Sequence, residues 1–407
     1  MGVTDEKTTR YIKLAEVFTP GTPVANRDRF AGRVEQVMAI IEALSRAGTH
    51  VLLYGERGVG KSSLANVLAD FLKPIWGERR PTIRVNCTTQ DNYKTIWVRV
   101  LTEMNIEVPE NWAIGKAEPD VVRRLLQGVT PNRLIILDEF DRIEDDDSLS
   151  LMADTLKALS DHAVATRIVI VGVADSIDQL IGEHESIQRS IIEVQLPRMT
   201  QKELTDIVDS GLEVANMTID GRAKIQIGRL AEGLPHYVHS LALTAAQRAI
   251  LDDRNEVKVE DVHEAVRKVV ERHSLLKEYQ TAIQSPRPGN LFAHVLAACA
   301  LADKDRLGYF TASAVREPMT RIMGRPYDIP AFAAHLKAFT EIERGSVLKR
   351  EGFERRYVYR FRNPLLQPFA LLTAISDGVI PADYAEDILG REKENPTGLR
   401  RLKPKRR

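Results

Sequence analysis

"LLYGERGVGKSSLANVL", residues 52–68, sets three closely spaced glycines between an apolar run and an amphipathic one. A short apolar run, "HVLLYG", leads in, and an amphipathic run, "KSSLANVLADFL", leads out. Between them stands G-x-x-x-x-G-K-[ST], from Gly55 to Ser62. Gly55, Gly58 and Gly60 let backbone N–H groups turn inward around phosphate oxygens, and the following helix adds the positive end of its dipole. Lys61 is spaced to reach β and γ phosphates, and Ser62 to hold Mg²⁺. The expected nucleotide-binding surface is therefore Gly55, Glu56, Arg57, Gly58, Val59, Gly60, Lys61, Ser62 and Ser63.

Outward from the loop, "TIRVNC" (82–87), "RLIILDEF" (133–140), "RIVIVGVA" (167–174) and "IIEVQL" (191–196) are short β-branched runs separated by helical segments. Such alternation implies a parallel sheet with helices on both faces. Upstream, Val34, Val37, Ile40, Ile41 and Leu44 recur at helical spacing and the pattern stops at Gly48. We read residues 1–28 as a polar leader and 29–198 as the α/β nucleotide-binding domain. Residues 199–284 read as a lid of about four helices, and "SPRPGN" (285–290) as a linker. Three helices followed by "SVLKREG" and "RYVYRFRN" give the order of a winged helix over 285–380, with 381–407 as a basic tail.

The second half of a phosphate site needs carboxylates at the end of a neighbouring strand. "LIILDEFD" supplies Asp138 for the Mg²⁺ shell and Glu139 to orient or deprotonate the attacking water. In "VGVADSID", Asp175 falls beside the γ phosphate, where it can hold the lytic water or cap a helix. In "SIQRSIIEVQLPRMT", Arg189 stands before a strand with little local reason to be charged, which fits an arginine finger toward a neighbouring subunit or a surface ion pair.

The order "FAGR", "GERGVGKS", "LDEFD", "GVADS", "SIQRS" and helical lid resembles the AAA+ superfamily of ATPases over about residues 20–272. With the winged helix, the layout is most similar to the replication-initiator clade. Transposition-regulating and signal-transducing bacterial ATPases are similar in the core. The resemblance implies an α/β P-loop AAA+ domain with a lid and a winged helix, and ATP/ADP with Mg²⁺ as cofactors. It also implies a homo-oligomer whose sites are completed between subunits. Position by position, it makes Lys61 and Ser62 Walker A, Asp138 and Glu139 Walker B, Asp175 sensor 1 and Arg189 the finger, with Arg198 second in line. Two departures stand out. Asp175 replaces the usual Asn, which implies slow hydrolysis, and His236 of "EGLPHYVHS" stands where the initiators place an arginine, so it reads either as a weaker, pH-dependent contact to the γ phosphate or simply as a lid-helix histidine.

Composition limits what the chain acts on. With 407 residues and 43% apolar content it can bury two or three cores, and 57 basic residues balance 57 acidic ones. Polyanion binding must then come from local clusters. The hairpin provides one: Arg344, Lys349, Arg350, Arg355, Arg356, Arg360 and Arg362 oppose four acids between Glu341 and Arg362. The end "RRLKPKRR" provides another. Both suit phosphate contacts without base reading. Cys87 and Cys299 lie 212 residues apart with no metal-spaced neighbour, and no apolar run nears the roughly 18 residues of a membrane span. The expectation is a cytoplasmic ATPase. Two outputs fit: DNA binding with recruitment or loading of a protein partner, or a nucleotide-gated signalling scaffold whose winged helix binds protein.

Overall fold

The computed structural model describes residues 5–24, 27, 30–76, 81–112, 115–129, 133–173, 187, 189–287, 289–305, 307–353 and 356–390. Five strands form the central sheet: β1 (His50–Tyr54), β2 (Thr82–Asn86), β3 (Leu134–Asp138), β4 (Arg167–Gly172) and β5 (Ile191–Gln195). They lie in the order β2-β3-β4-β1-β5, and every pairing is parallel. Alternate side chains feed two separate cores, as the two-residue period of a strand requires. Leu52, Ile135, Leu137, Ile168 and Ile170 pack on one face; Val51, Leu53, Leu134, Ile136, Val169 and Val171 pack on the other.

The expected helices are present, including Val34–Ser45, which ends before Gly48 in a left-handed conformation (φ 69°), and Lys61–Trp76 after the glycine loop. Four lid helices follow: Gln201–Glu213, Gly221–Leu230, Pro235–Leu251 and Val259–Arg272. Thr200 and Glu203 form a capping box that fixes where the first begins. A fifth helix, Leu276–Ile283, leads to the linker.

The C-terminal part has helices Phe292–Leu301, Ala312–Met323 and Ile329–Ala338 and an antiparallel hairpin of strands Leu348–Glu351 and Val358–Phe361. A third strand, Phe310–Thr311, pairs with Val358–Phe361 and completes a three-stranded sheet, the winged-helix arrangement. Helix Leu366–Ser376 is buried from Leu366 to Ala374, so it is apolar around its circumference rather than along one stripe. It packs against both Phe292–Leu301 and the lid helix Val259–Arg272. Lid and C-terminal part therefore share one apolar core.

Two elements differ from the sequence reading. The leader is not merely polar: Asp5–Val17 is a helix whose Leu14, with Phe18 just beyond it, is buried against the lid. The segment read as a tail from residue 381 contains a further helix, Ala382–Leu389, held by the Arg321–Asp387 ion pair and by Arg321 over the Tyr384 ring at 3.7 Å. Residues 391–407, which carry the basic cluster, lie outside the described residues.

Candidate nucleotide site

In a parallel sheet the carboxyl ends of the strands all open on one side, and loops leaving neighbouring strands meet there. Here β1 runs into the glycine loop and β3 into "DEFD", and between them lies a cleft of about 670 Å³. Arg57, Gly58, Val59, Gly60, Lys61, Ser62, Ser63, Asp138, Glu139 and His236 all line it. Gly55 and Glu56 form the floor beneath the loop, through contacts described below. The structure thus brings together the expected Gly55–Ser63 loop, both carboxylates and the lid histidine.

Glycine is required in the loop for steric reasons. Gly55, Gly58 and Gly60 have φ of 158°, 89° and 101°, and a Cβ on Gly55 would stand 2.3 Å from the Leu196 carbonyl oxygen. Lys61 Nζ donates to the carbonyl oxygens of Gly55 and Glu56, each at 2.9 Å. Burial lowers its pKa to about 8, opposed by Asp141, Asp138 and Glu56. The loop's inner face is held by Arg33, itself 2% exposed, whose Nη2 donates to the Val59 carbonyl at 3.0 Å. Burial lowers the Arg33 pKa to about 10, and its Nε makes no hydrogen bond.

Asp138 is 2% exposed, and both its oxygens are engaged. Oδ1 accepts from the Glu139 backbone N–H at 2.9 Å, and Oδ2 accepts from Arg84 on the adjacent strand β2. Glu139 has a left-handed backbone (φ 55°, ψ 36°), unusual for a non-glycine residue, and its exposed carboxylate pairs with Arg142 at 2.9 Å. Asp141, three residues past Asp138, accepts from Val173 N–H at 3.1 Å and so ties the turn after β3 to the end of β4.

Two lid histidines bind the leader at the cleft. His236 donates from Nδ1 to the Pro20 carbonyl at 2.6 Å, and burial lowers its pKa. His239 Nδ1 accepts from Thr19 N–H at 3.2 Å, which requires a neutral ring, and burial lowers its pKa to about 4. Together they clasp residues 19–24 across the mouth of the cleft, where Val24 N–H also donates to Ser63 Oγ at 3.0 Å. His236 is thus a leader contact in the wall of the cleft.

Arg189 is exposed and lies in the turn before β5, at the amino end of the strands. The whole length of β5, roughly 16 Å at about 3.3 Å per residue, separates it from its own glycine loop. Arg198 cannot serve as a free finger. It is fixed in its own chain, with Nε and Nη2 donating to Glu56 Oε2 at 3.0 and 2.7 Å and Nη1 donating to the Glu232 carbonyl at 3.0 Å. Asp175 lies outside the described residues, as does Arg355 of the hairpin.

Sequence reasoning missed Arg33, Arg84, Asp141 and the C-terminal contribution. Asp141 and Arg33 sit inside quoted motifs, "LDEFD" and "FAGR", and were available as signals. Arg84 and Leu365 carried none, since only the sheet order and the docking of the last helix bring them near. Leu365 lines the cleft and packs on Gly58, and its carbonyl accepts from Tyr237 Oη at 2.6 Å.

Known proteins corroborate this architecture. A family model described as an AAA domain matches residues 45–181. The ORC1-type DNA replication protein of Picrophilus torridus is 24% identical over 256 residues, 58% of this chain and 61% of the relative, so the match spans less than two thirds of that protein. Among solved structures, the Aeropyrum pernix ORC2 protein in its ADPNP–ADP complexes aligns over 91% of this chain and 98% of its own, with TM-score 0.53 and 19% identity. A Walker-type ATPase of Pyrococcus abyssi aligns over 87% and 99%, with TM-score 0.50 and 15% identity. The chain thus resembles AAA-domain P-loop ATPases over residues 45–181 and, over a longer stretch, the ORC1-type replication proteins.

Proposed function

We propose that this protein binds and hydrolyses ATP in the cleft above the sheet, assembles with further copies of itself, and binds DNA through the winged helix to recruit or load a protein partner. One observation carries the reading: glycine loop, β3 carboxylates, lid and Leu365, at the start of helix Leu366–Ser376, all wall a single cleft. Occupancy of that cleft can therefore set where the winged helix sits. The relative of known structure bound to ADPNP and ADP supports an adenine nucleotide, and the DNA replication relative supports DNA.

The residues present suit a hard cation. The Ser62 hydroxyl and the Asp138 carboxylate share the cleft, and oxygen donors of this kind are what Mg²⁺ takes. Mg²⁺, when bound, neutralises charge on the phosphate oxygens. The loop N–H groups and Lys61 orient the phosphates. Glu139, turned into solvent by its left-handed backbone, is free to rotate from Arg142 to a water in line with the γ phosphate. Arg189 supplies the remaining positive charge to a neighbouring copy's site.

On the hairpin, Arg344 is unavailable to DNA: it stacks on Phe292 at 3.6 Å and donates to the Ala282 and Gln284 carbonyls. Lys349 pairs with Glu351 at 2.7 Å, and Arg350 lies over Tyr357 at 4.3 Å. Their cationic heads still stand on one ribbon with Arg356 and Arg360. The same pairing supports the second reading, in which the winged helix docks protein and the output is a separate effector.

The test is double-stranded DNA binding with and without ATP at low and moderate salt, using the wild type, Glu139→Gln and the pair Arg350→Glu, Arg356→Glu. The expected result is ATP-enhanced binding that weakens steeply with salt, retained in Glu139→Gln without turnover and lost in the charge-reversed pair. Absence of binding at low salt would turn the assignment to the protein-docking reading.

A further inference from the structure

We propose that Arg84 gates the metal: its guanidinium occupies the Asp138 oxygen that a divalent cation needs, so that cation binding requires Arg84 to swing away. The inference rests on the reading of Asp138 as a metal carboxylate.

The placement follows from strand geometry. In the parallel pairing of β2 and β3, Arg84 stands opposite Ile136, with Asn86 opposite Asp138. Residues two apart on a strand share a face, so Arg84 and Asp138 are diagonal neighbours on the same side of the sheet. Ile83 and Val85 point into the core on the other side. β2 is an edge strand of the sheet, and the Arg84 side chain keeps about a quarter of its surface exposed (28%), whereas the Asp138 side chain keeps 3%. The arginine therefore has an exit to solvent that the carboxylate lacks.

The acceptor inventory makes the competition concrete. Asp138 Oδ1 is taken by the Glu139 N–H, a contact fixed by the left-handed turn there. Oδ2 is taken by Arg84. A cation approaching from the Ser62 side meets a carboxylate already bound to a guanidinium of like sign, and two positive groups on one buried carboxylate repel strongly. Removing Arg84 leaves a nearly buried carboxylate with Lys61 as the cation beside it, a charge deficit that a divalent ion restores. Arg84 is a positioning residue in this account. It does not line the cleft, but it sets how much metal the site demands and keeps the carboxylate compensated until metal arrives.

The experiment titrates Mg²⁺ into full-length protein with a fluorescent ATP analogue and reads the Mg²⁺ concentration at which nucleotide binding tightens, with affinity in EDTA as the control. Arg84→Gln should lower that concentration by about tenfold, the factor expected on losing one charge-assisted competitor, and leave the EDTA affinity unchanged. Arg84→Lys, which keeps the charge on a single point donor, should fall between, and it carries the test if thermal melting shows Arg84→Gln to be unfolded. Asp138→Asn should raise the Mg²⁺ requirement. If Asp138→Asn raises it and neither Arg84 variant lowers it, the gate is overturned and the metal reading stands. If Asp138→Asn leaves it unchanged, the metal reading fails and the gate with it.

Discussion

His239 is a residue whose chemistry follows from one contact. Its ring must be neutral to accept the Thr19 N–H, and burial holds its pKa at about 4, against about 6.5 in an unfolded chain. As pH falls below 6.5 the unfolded form takes up the proton first. The stabilisation is therefore complete above about pH 7.5 and declines toward pH 4, by at most about 1.4 kcal/mol per pH unit. His50, buried in the sheet with a pKa of about 3, contributes with the same sign, so global melting reports both rings. Amide exchange separates them: between pH 7 and pH 5, after correction for intrinsic rate, protection at Thr19 should drop more than protection at Ile168, whose N–H donates to His50. Equal loss at both sites would assign the effect to global unfolding. At this scale the sequence was legible where residues act through adjacent backbone, as the glycine loop does. It was silent where a partner lies far along the chain, as Thr19 does from His239 and Glu56 from Arg198.

Elements were legible when their period was long and their ends were chemically marked. Strands β2, β3 and β4 read directly from β-branched runs, β1 from its apolar run into the glycine loop, and the lid helices from their spacing. The helix Asp5–Val17 did not, because its polar face dominates the composition and its apolar stripe has meaning only against the lid. That docking depends on Gly211 in helix Gln201–Glu213, where a Cβ would come within 2.2 Å of the Phe18 ring. Gly211→Ala should displace Phe18 and, as overpacking does, cost about 1–3 kcal/mol, even though alanine favours the helix by itself. Urea denaturation of the two proteins gives the difference. A stabilised variant would show that the leader helix can shift without penalty.

Across the whole molecule, the glycine loop is joined to the C-terminal part by a chain of charges. Glu56 holds Arg198, Arg198 reaches the Glu232 carbonyl, the Glu232 carboxylate accepts from Gln367 at 2.9 Å, and Lys304 lies beside it with its pKa lowered by burial to about 8. This network distinguishes the two arginines read from "SIQRSIIEVQLPRMT". Arg198→Ala should weaken nucleotide binding in the chain that carries it, because it frees Glu56 under the loop. Arg189→Ala should leave nucleotide affinity intact and abolish turnover. Mixing Arg189→Ala with Lys61→Ala should restore some turnover, since a mixed assembly has sites with an intact loop on one copy and an intact arginine on the next. Mixing Arg198→Ala with Lys61→Ala should restore none. A wild-type rate for Arg189→Ala would remove the finger.

Leu365 rests on Gly58, where a Cβ would meet it at 2.8 Å, and the same leucine begins the helix on which the winged-helix core is built. Were a phosphate-filled loop to displace that leucine, the two binding events would be coupled, and coupling of this kind is reciprocal. If ATP changes the affinity of the hairpin for a target by some factor, the target must change the affinity of the cleft for ATP by the same factor. The proposed DNA or protein target would then be sensed by the glycine loop as well as positioned by it.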